Sequence, residues 1–237
     1  MTPEPESGAA PSALLIAQRA ARAEALGYFV ERSGFHVEVA TSIDQAVRGL
    51  EDRGVALVVA DWSARPGEME TDMARLRALT AAPILLLAPR TDGAPRSRAE
   101  EILRPPFTAR EIESRVRSMT GAAGRAAPQP ALLAGGPVQL DILRHEARVR
   151  EEPVFLRVKE FDLLEAFLRR MDQMLSRAFL TAVAWGIEMV PGTNTLDVHI
   201  ARLRKKIELS PHRPLHLLTV RRRGYCFVDG FRLPATP

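Results

Sequence analysis

The chain has 237 residues, 46% hydrophobic and 26% charged, an ordinary globular composition and enough length for two domains with real cores. No apolar run approaches the ~20 residues that a membrane helix needs, and the acidic, proline-rich start (residues 1–6) lacks the basic-then-apolar order of a signal peptide. One cysteine, Cys226, excludes an internal disulfide and suits a reducing compartment, so the expected location is the cytoplasm, with no membrane partner.

Charge divides the chain. Residues 1–125 carry 16 Arg against 17 Asp and Glu, a net of −1, and residues 126–237 carry 17 basic against 12 acidic groups, a net of +5. Eight of those basic groups fall in residues 194–223, against only Asp197 and Glu208. Nucleic acid is the commonest partner of such a concentration, although a solvated surface face carries the same signature. Lysine occurs only at Lys159, Lys205 and Lys206, so nothing before position 159 can act as one.

In chain order, residues 1–11 read as a disordered tail, and the stretch that follows alternates. Residues 13–17, 37–40, 55–60, 83–88 and 101–103 are short apolar runs of strand type. Between them, residues 20–32, 41–53 and 70–79 have helical spacing, and residues 108–119 close as a helix with Thr108 and Glu111 spaced as a capping box. Strand–helix alternation with apolar strands predicts a doubly wound parallel α/β sheet over residues 12–119. Residues 120–137, rich in Gly, Ala and Pro, read as a linker, and residues 230–237 as a tail.

Residues 138–229 have a different plan. Residues 138–143, 147–150 and 154–156 suggest a short antiparallel meander. Residues 159–170 are amphipathic, with Phe161, Leu164, Phe167 and Leu168 on one face; residues 176–185 follow, opened by Ser176, and a loop from Gly186 to Gly192 leads into a helix over 193–207. Residues 217–220 and 225–228 bracket Arg221-Arg222-Arg223-Gly224, a hairpin whose Gly224 is expected to supply the turn. Three helices and a basic hairpin make an α+β winged helix-turn-helix.

Along the helix 193–207, Leu196, Ile200, Leu203 and Ile207 form one stripe, and Asn194, Val198, Arg202 and Lys206 another, flanked by Thr195, His199, Ala201 and Lys205. One apolar face and one basic, small-residue face suit the major groove: cations meet phosphates or guanine edges, an amide pairs with adenine, and Val198 can touch a thymine methyl. Arg221, Arg222 and Arg223 repel one another at a free hairpin tip but are accommodated in a minor groove of high negative potential. An amphipathic surface helix and a solvated arginine turn are the bland alternatives.

Residues 154–227 resemble the DNA-binding domain of OmpR/PhoB-type response regulators. The matching stretches are Lys-Glu-Phe-Asp-Leu-Leu-Glu (159–165), Leu-Ser-Arg (175–177), Trp-Gly (185–186), the run Pro-Gly-Thr-Asn-Thr-Leu-Asp-Val-His-Ile-Ala-Arg-Leu-Arg-Lys-Lys-Ile (191–207), Leu-Thr-Val-Arg (218–221) and Gly-Tyr (224–225). The resemblance implies double-stranded DNA as partner, tandem or dimeric binding, and a loop Gly186 to Gly192 presented to RNA polymerase. Two departures stand out. Arg157-Val158-Lys159-Glu160 lacks the family's capping hydroxyl, a loss of about 1 kcal/mol unless something else caps the helix. The wing carries Arg222 where the family has glycine.

Residues 12–119 resemble more loosely the family's receiver domain, a CheY-like doubly wound fold, through residues 55–61 with Pro66-Gly67, residues 83–88 and Glu100-Glu101-Ile-Leu-Arg-Pro-Pro-Phe (100–107). Asp61 falls at the phosphoacceptor position, but the acidic pair of the family's Mg²⁺ site is replaced by Gln18 and Arg19, the hydroxyl by Ala88 and the lysine by Pro105. Arg19 or Arg104 can replace a cation only in part, and neither ligates Mg²⁺. The stretch between Ala88 and Glu100 is short for a further helix. By resemblance, Glu100, Glu101, Arg115 and Arg117 are dimer-interface candidates.

These readings make the chain a DNA-binding transcription regulator, expected as a homodimer, that works without phosphorylation and without cofactor or metal. Two alternatives stay open: a conventional phosphorylation-dependent regulator using Asp61, and an adaptor that docks on RNA polymerase with weak DNA contact. An enzyme is not expected, because His36, His145, His199, His212 and His216 form no metal or catalytic spacing with Cys226.

Overall fold

The apolar runs of the first half lie side by side in one parallel sheet. A computed structural model describes residues 10–52, 54–62, 69–88, 99–105, 107–121, 131–187 and 195–230. The chain divides into two units, Met1–Gln129 and Pro130–Pro237. No described helix is long and apolar enough to cross a membrane.

In the first unit the order is β1 (Ser12–Ile16), α1 (Ala20–Glu31), β2 (His36–Ala40), α2 (Ile43–Asp52), β3 (Leu57–Asp61), α3 (Met69–Leu79), β4 (Ile84–Leu87), β5 (Glu101–Leu103) and α4 (Ala109–Thr120). The five strands pair in parallel in the order β2-β1-β3-β4-β5. β3 and β4 are apolar because helices cover both sheet faces: Leu57, Val58, Val59 and Ala60 are buried, as are all four residues of β4. α4 starts as its sequence predicts, with Thr108 Oγ1 accepting the Glu111 amide at 3.2 Å, and ends at Gly121 in the left-handed region. Residues 89–98, where a further helix was in question, lie outside the described residues, as do Pro66 and Gly67.

The second unit runs β6 (Leu132–Gly135), β7 (Val138–Asp141), β8 (Glu146–Val149), β9 (Glu152–Pro153), α5 (Val158–Arg169), β10 (Met174–Ser176), α6 (Arg177–Trp185), α7 (Thr195–Ile207), β11 (Leu217–Val220) and β12 (Gly224–Phe227). It holds a four-stranded sheet, β6-β7-β8-β9, and a three-stranded one, β10-β12-β11. The three helices bury Phe161, Phe167, Phe179, Leu164, Leu203 and Ile207 between them. Burying a side chain of this size stabilises by about 1.5–3 kcal/mol.

Three expectations are corrected here. The linker expected over 120–137 is shorter, because residues 132–135 form β6 and pair with β7 across a turn at Gly136, whose φ is +53°. The strand expected over 154–156 is instead the two-residue β9. Val154 still donates to Ala147 O at 2.9 Å, after which the chain leaves the sheet to enter α5. Gly224 does not form the wing turn: it lies in β12 opposite Val220, and the left-handed residue is Arg222, at φ +61°.

Gly224 has another reason to be glycine. A Cβ there would overlap the carbonyl oxygen of Leu175 on β10, the strand that pairs with β12 on its other side. Gly224→Ala is therefore expected to destabilise the second unit by about 1–3 kcal/mol, read as a lower urea midpoint. An unchanged midpoint would show that the two strands separate without cost.

Candidate nucleic-acid interface

Leu196, Ile200, Leu203 and Ile207 are buried, so α7 presents the opposite side to solvent. On that side Val198, Ala201, Arg202 and Lys205 are exposed, Val198 at 45%. Thr195 and His199 are half-buried at its edge. His199 Nδ1 lies 2.9 Å from Thr195 O, and its ring meets Trp185 edge-on at 5.1 Å. Asn194 lies outside the described residues.

The orientation of α7 is set by a carboxylate in its first turn, where the helix dipole favours negative charge. Asp197 accepts both terminal nitrogens of Arg177, each at 2.8 Å, and also the Tyr225 hydroxyl. Arg177 is the first residue of α6, whose N-terminus is capped by Ser176 Oγ accepting from Phe179 N at 3.1 Å. One carboxylate thus ties together α6, α7 and β12. The Arg177 hydrogen bonds outweigh burial and hold the Asp197 carboxyl below its usual range. Burial first, and the carboxylate second, push the Tyr225 phenol up.

Not every cation of α7 is available to a ligand. Arg204 donates to Leu217 O at 2.9 and 2.7 Å and to Thr219 Oγ1 at 2.8 Å, with its guanidinium 5.8 Å from the centre of the Tyr225 ring. Lys206, expected with Arg202 on the reading face, is directed elsewhere: its ammonium donates to Glu160 Oε2 at 2.6 Å and to Phe155 O at 2.7 Å. Glu160 in turn accepts the Arg157 amide at 2.9 Å. This is the reciprocal half of a capping box; the Arg157 side chain makes no cap bond to the first-turn amides. Burial would raise the Glu160 carboxyl, but Lys206 and the Arg157 amide outweigh it and hold it below the usual range.

Arg221, Arg222 and Arg223 are all exposed at the turn between β11 and β12, with Arg223 N donating to Val220 O at 3.0 Å. The hairpin is braced from below by buried Glu208, unforeseen in the sequence, which accepts the amides of Leu215, His216 and Leu217 at 3.0, 3.0 and 2.8 Å. Of the loop from Gly186 to Gly192, only Gly186 and Ile187 are described; Gly186 is buried with φ +94°.

In the first unit, Asp61 ends β3 against an arginine that sequence spacing did not single out. Arg22 Nε donates to Asp61 Oδ2 at 2.7 Å and Nη2 to Oδ1 at 3.2 Å, with side-chain exposures of 12% and 5%. Gln18 and Arg19 are exposed, Ala88 is buried and Pro105 half-buried. Among the described residues no group of three or more His, Cys, Asp or Glu side chains could hold a metal ion. The dimer candidates have partners within the chain: Glu101 pairs with Arg115 at 2.9 Å and Arg117 with Glu113 at 3.3 Å. Glu100 pairs with Arg77 and accepts the Ile84 amide at 2.6 Å.

Residues 151–227 match the family model described as transcriptional regulatory protein, C terminal. The sensory transduction protein RegX3 of Mycolicibacterium smegmatis is 34% identical over 223 residues, which span 90% of this chain and 97% of that protein. The chain belongs to the OmpR/PhoB-type response regulators. The DNA-binding response regulator MtrA of the same organism is 33% identical over 86% of this regulator and 90% of its own length. Among solved structures, the Thermotoga maritima response regulator DrrB aligns with 18% identity over 93% of this chain and 100% of its own, at a TM-score of 0.40.

In this regulator the Arg22–Asp61 pair is nearly buried, so removing one member leaves the other without its two-pronged, charge-assisted contact. Arg22→Ala should cost the first unit about 3–5 kcal/mol, and Arg22→Ala with Asp61→Ala should recover much of that loss. Thermal unfolding of the three chains checks it; equal loss in the single and double variants would contradict the pairing.

Proposed function

We propose that this regulator is a sequence-specific, double-stranded DNA-binding transcription regulator of the cytoplasm that works independently of phosphorylation. The observation that carries the second half is the Arg22–Asp61 ion pair. A carboxylate that accepts from the Arg22 guanidinium at both oxygens, with Gln18 and Arg19 in place of acidic neighbours, lacks the acidic partners that would hold Mg²⁺ for phosphoryl transfer and must break its ion pair to react. Arg22 pairs with Asp61 inside the first unit.

DNA reading rests on Val198, Arg202 and Lys205 of α7, with His199 and Thr195 at the edge, and on Arg221, Arg222 and Arg223 of the wing. Asn194, which lies outside the described residues, belongs to this set by sequence. Lys206 contributes little, its charge being spent on Glu160. RegX3 and MtrA are named as a sensory transduction protein and a DNA-binding response regulator, which favours the same reading here. The loop from Gly186 to Gly192 faces RNA polymerase in this proposal, and homodimerisation uses the surface bearing Glu100, Glu101, Arg115 and Arg117. Their intrachain pairs must then exchange partners across the two-fold axis. No catalytic residues are assigned.

Selection of bound duplexes from a random pool supplies the site, after which Arg202→Ala is expected to weaken binding by about 1–3 kcal/mol and to relax preference at one position. Arg222→Gly should act differently. Removing a non-glycine residue from the left-handed region stabilises the fold by roughly 1 kcal/mol, while one lost phosphate contact lowers the slope of log K against log salt by about 1. A pool that yields no enriched sequence at physiological salt would sink the DNA reading. For the phosphoacceptor, incubation with a small phosphodonor and Mg²⁺ should leave the intact mass unchanged. A gain of one phosphoryl group, lost in Asp61→Asn, would restore the conventional mechanism.

A further inference from the structure

Arg150 and Glu151 join β8 to β9 as a two-residue turn closed by the pair Val149 and Glu152, and both have positive φ, +53° and +67°. A hairpin turn of this kind prefers Asn-Gly or Asp-Gly. A long side chain in the left-handed region costs stability, and here two follow each other. They are the only consecutive residues of positive φ among the described residues. Backbone strain that a sequence keeps points to a task for the side chains that cause it.

The two side chains diverge. Glu151 stays with its sheet, its carboxylate accepting from Gln139 Nε2 at 2.8 Å and its carbonyl from Arg148 Nη1 at 3.2 Å. Arg150 keeps only its amide there, donating to Pro137 O at 2.8 Å, while its guanidinium donates to Ile207 O at 3.3 Å. Ile207 is the last residue of α7, where carbonyls have no partner within the helix and the dipole favours a cation. The next residue, Glu208, gathers the amides of Leu215, His216 and Leu217 beneath the wing hairpin. A guanidinium from the four-stranded sheet thus reaches the point where the reading helix passes into the wing. Lys206 adds a second tie from the neighbouring position, to Phe155 O. Asp197 holds the first turn of α7 to α6 and β12, and these contacts hold its other end to residues 150–160.

We propose that Arg150 is a positioning residue for DNA reading: it fixes the carboxyl end of α7 against the β8–β9 turn and so sets the angle at which Arg202 and Lys205 meet the groove. The inference rests on the reading of α7 as the DNA-reading helix. Arg150 acts through that helix, without a base or phosphate contact of its own.

Arg150→Asn separates position from stability, because asparagine tolerates the left-handed region but is too short to reach Ile207 O. In the full chain it should leave the urea midpoint no lower, yet weaken binding to the selected duplex about tenfold. The slope of log K against log salt should stay the same, whereas a lost phosphate contact would lower it by about 1. Arg150→Lys, which returns a cation to the helix end, should recover part of the affinity. Glu151→Gly, which relaxes the turn and keeps Arg150, should raise the midpoint and leave affinity unchanged. Full affinity in Arg150→Asn overturns the proposal, as does a loss that comes with a lower salt slope or only where the variant unfolds. An unaltered chain that selects no duplex overturns instead the DNA reading beneath it.

Discussion

A helix can enter a groove only if the rest of its fold holds it at one angle, and in this chain much of that constraint passes through the Asp197 carboxylate. Arg177 and Tyr225 reach it from α6 and from β12, so the reading helix, its preceding helix and the wing strand share one anchor. Arg204 extends the anchor by binding the β11 carbonyl of Leu217 and lying against Tyr225. The wing cannot shift without disturbing α7. Charge-assisted, two-pronged contacts of this kind add direction to the undirected burial of Leu196, Ile200 and Leu203.

The same chemistry recurs with other outcomes. Lys206 and Glu160 close the start of α5, Glu208 gathers three amides beneath the hairpin, and Arg22 closes on Asp61. In each case a carboxylate of low exposure is satisfied inside its own unit. For Asp61 both oxygens accept from Arg22; the contacts of Asp197, more exposed, likewise leave the exposed side of α7 undisturbed. Of the basic residues of α7 and the wing turn, Arg202, Lys205 and the three arginines of the wing remain exposed, with charge to offer a partner.

How much of this the sequence made legible follows from the range of each interaction. The apolar stripe of α7, the Thr108 and Ser176 caps and the buried β3 and β4 are local patterns of period 3.6 or 2, and they appear where the residues indicated. β10 is three residues long and acquires its strand character only by pairing with β12, about fifty positions away. Arg22 and Asp61 are 39 residues apart and Lys206 and Glu160 are 46 apart, so no spacing rule links them. The four-residue stripe placed Lys206 beside Arg202, but a long side chain at a helix end follows the nearest buried carboxylate. The glycine of the wing misled in a similar way: Gly224 is required by the close approach of β10, which only the folded sheet reveals.

The central claim is that this receiver-like unit holds its acceptor aspartate closed while the winged helix reads DNA. The most direct measurement is the affinity of the full chain for its selected duplex, with and without a small phosphodonor and Mg²⁺, at fixed salt. The account predicts the same affinity and the same complex stoichiometry in both conditions, unchanged by Asp61→Asn. Tighter binding on adding the phosphodonor, abolished by Asp61→Asn, would contradict it.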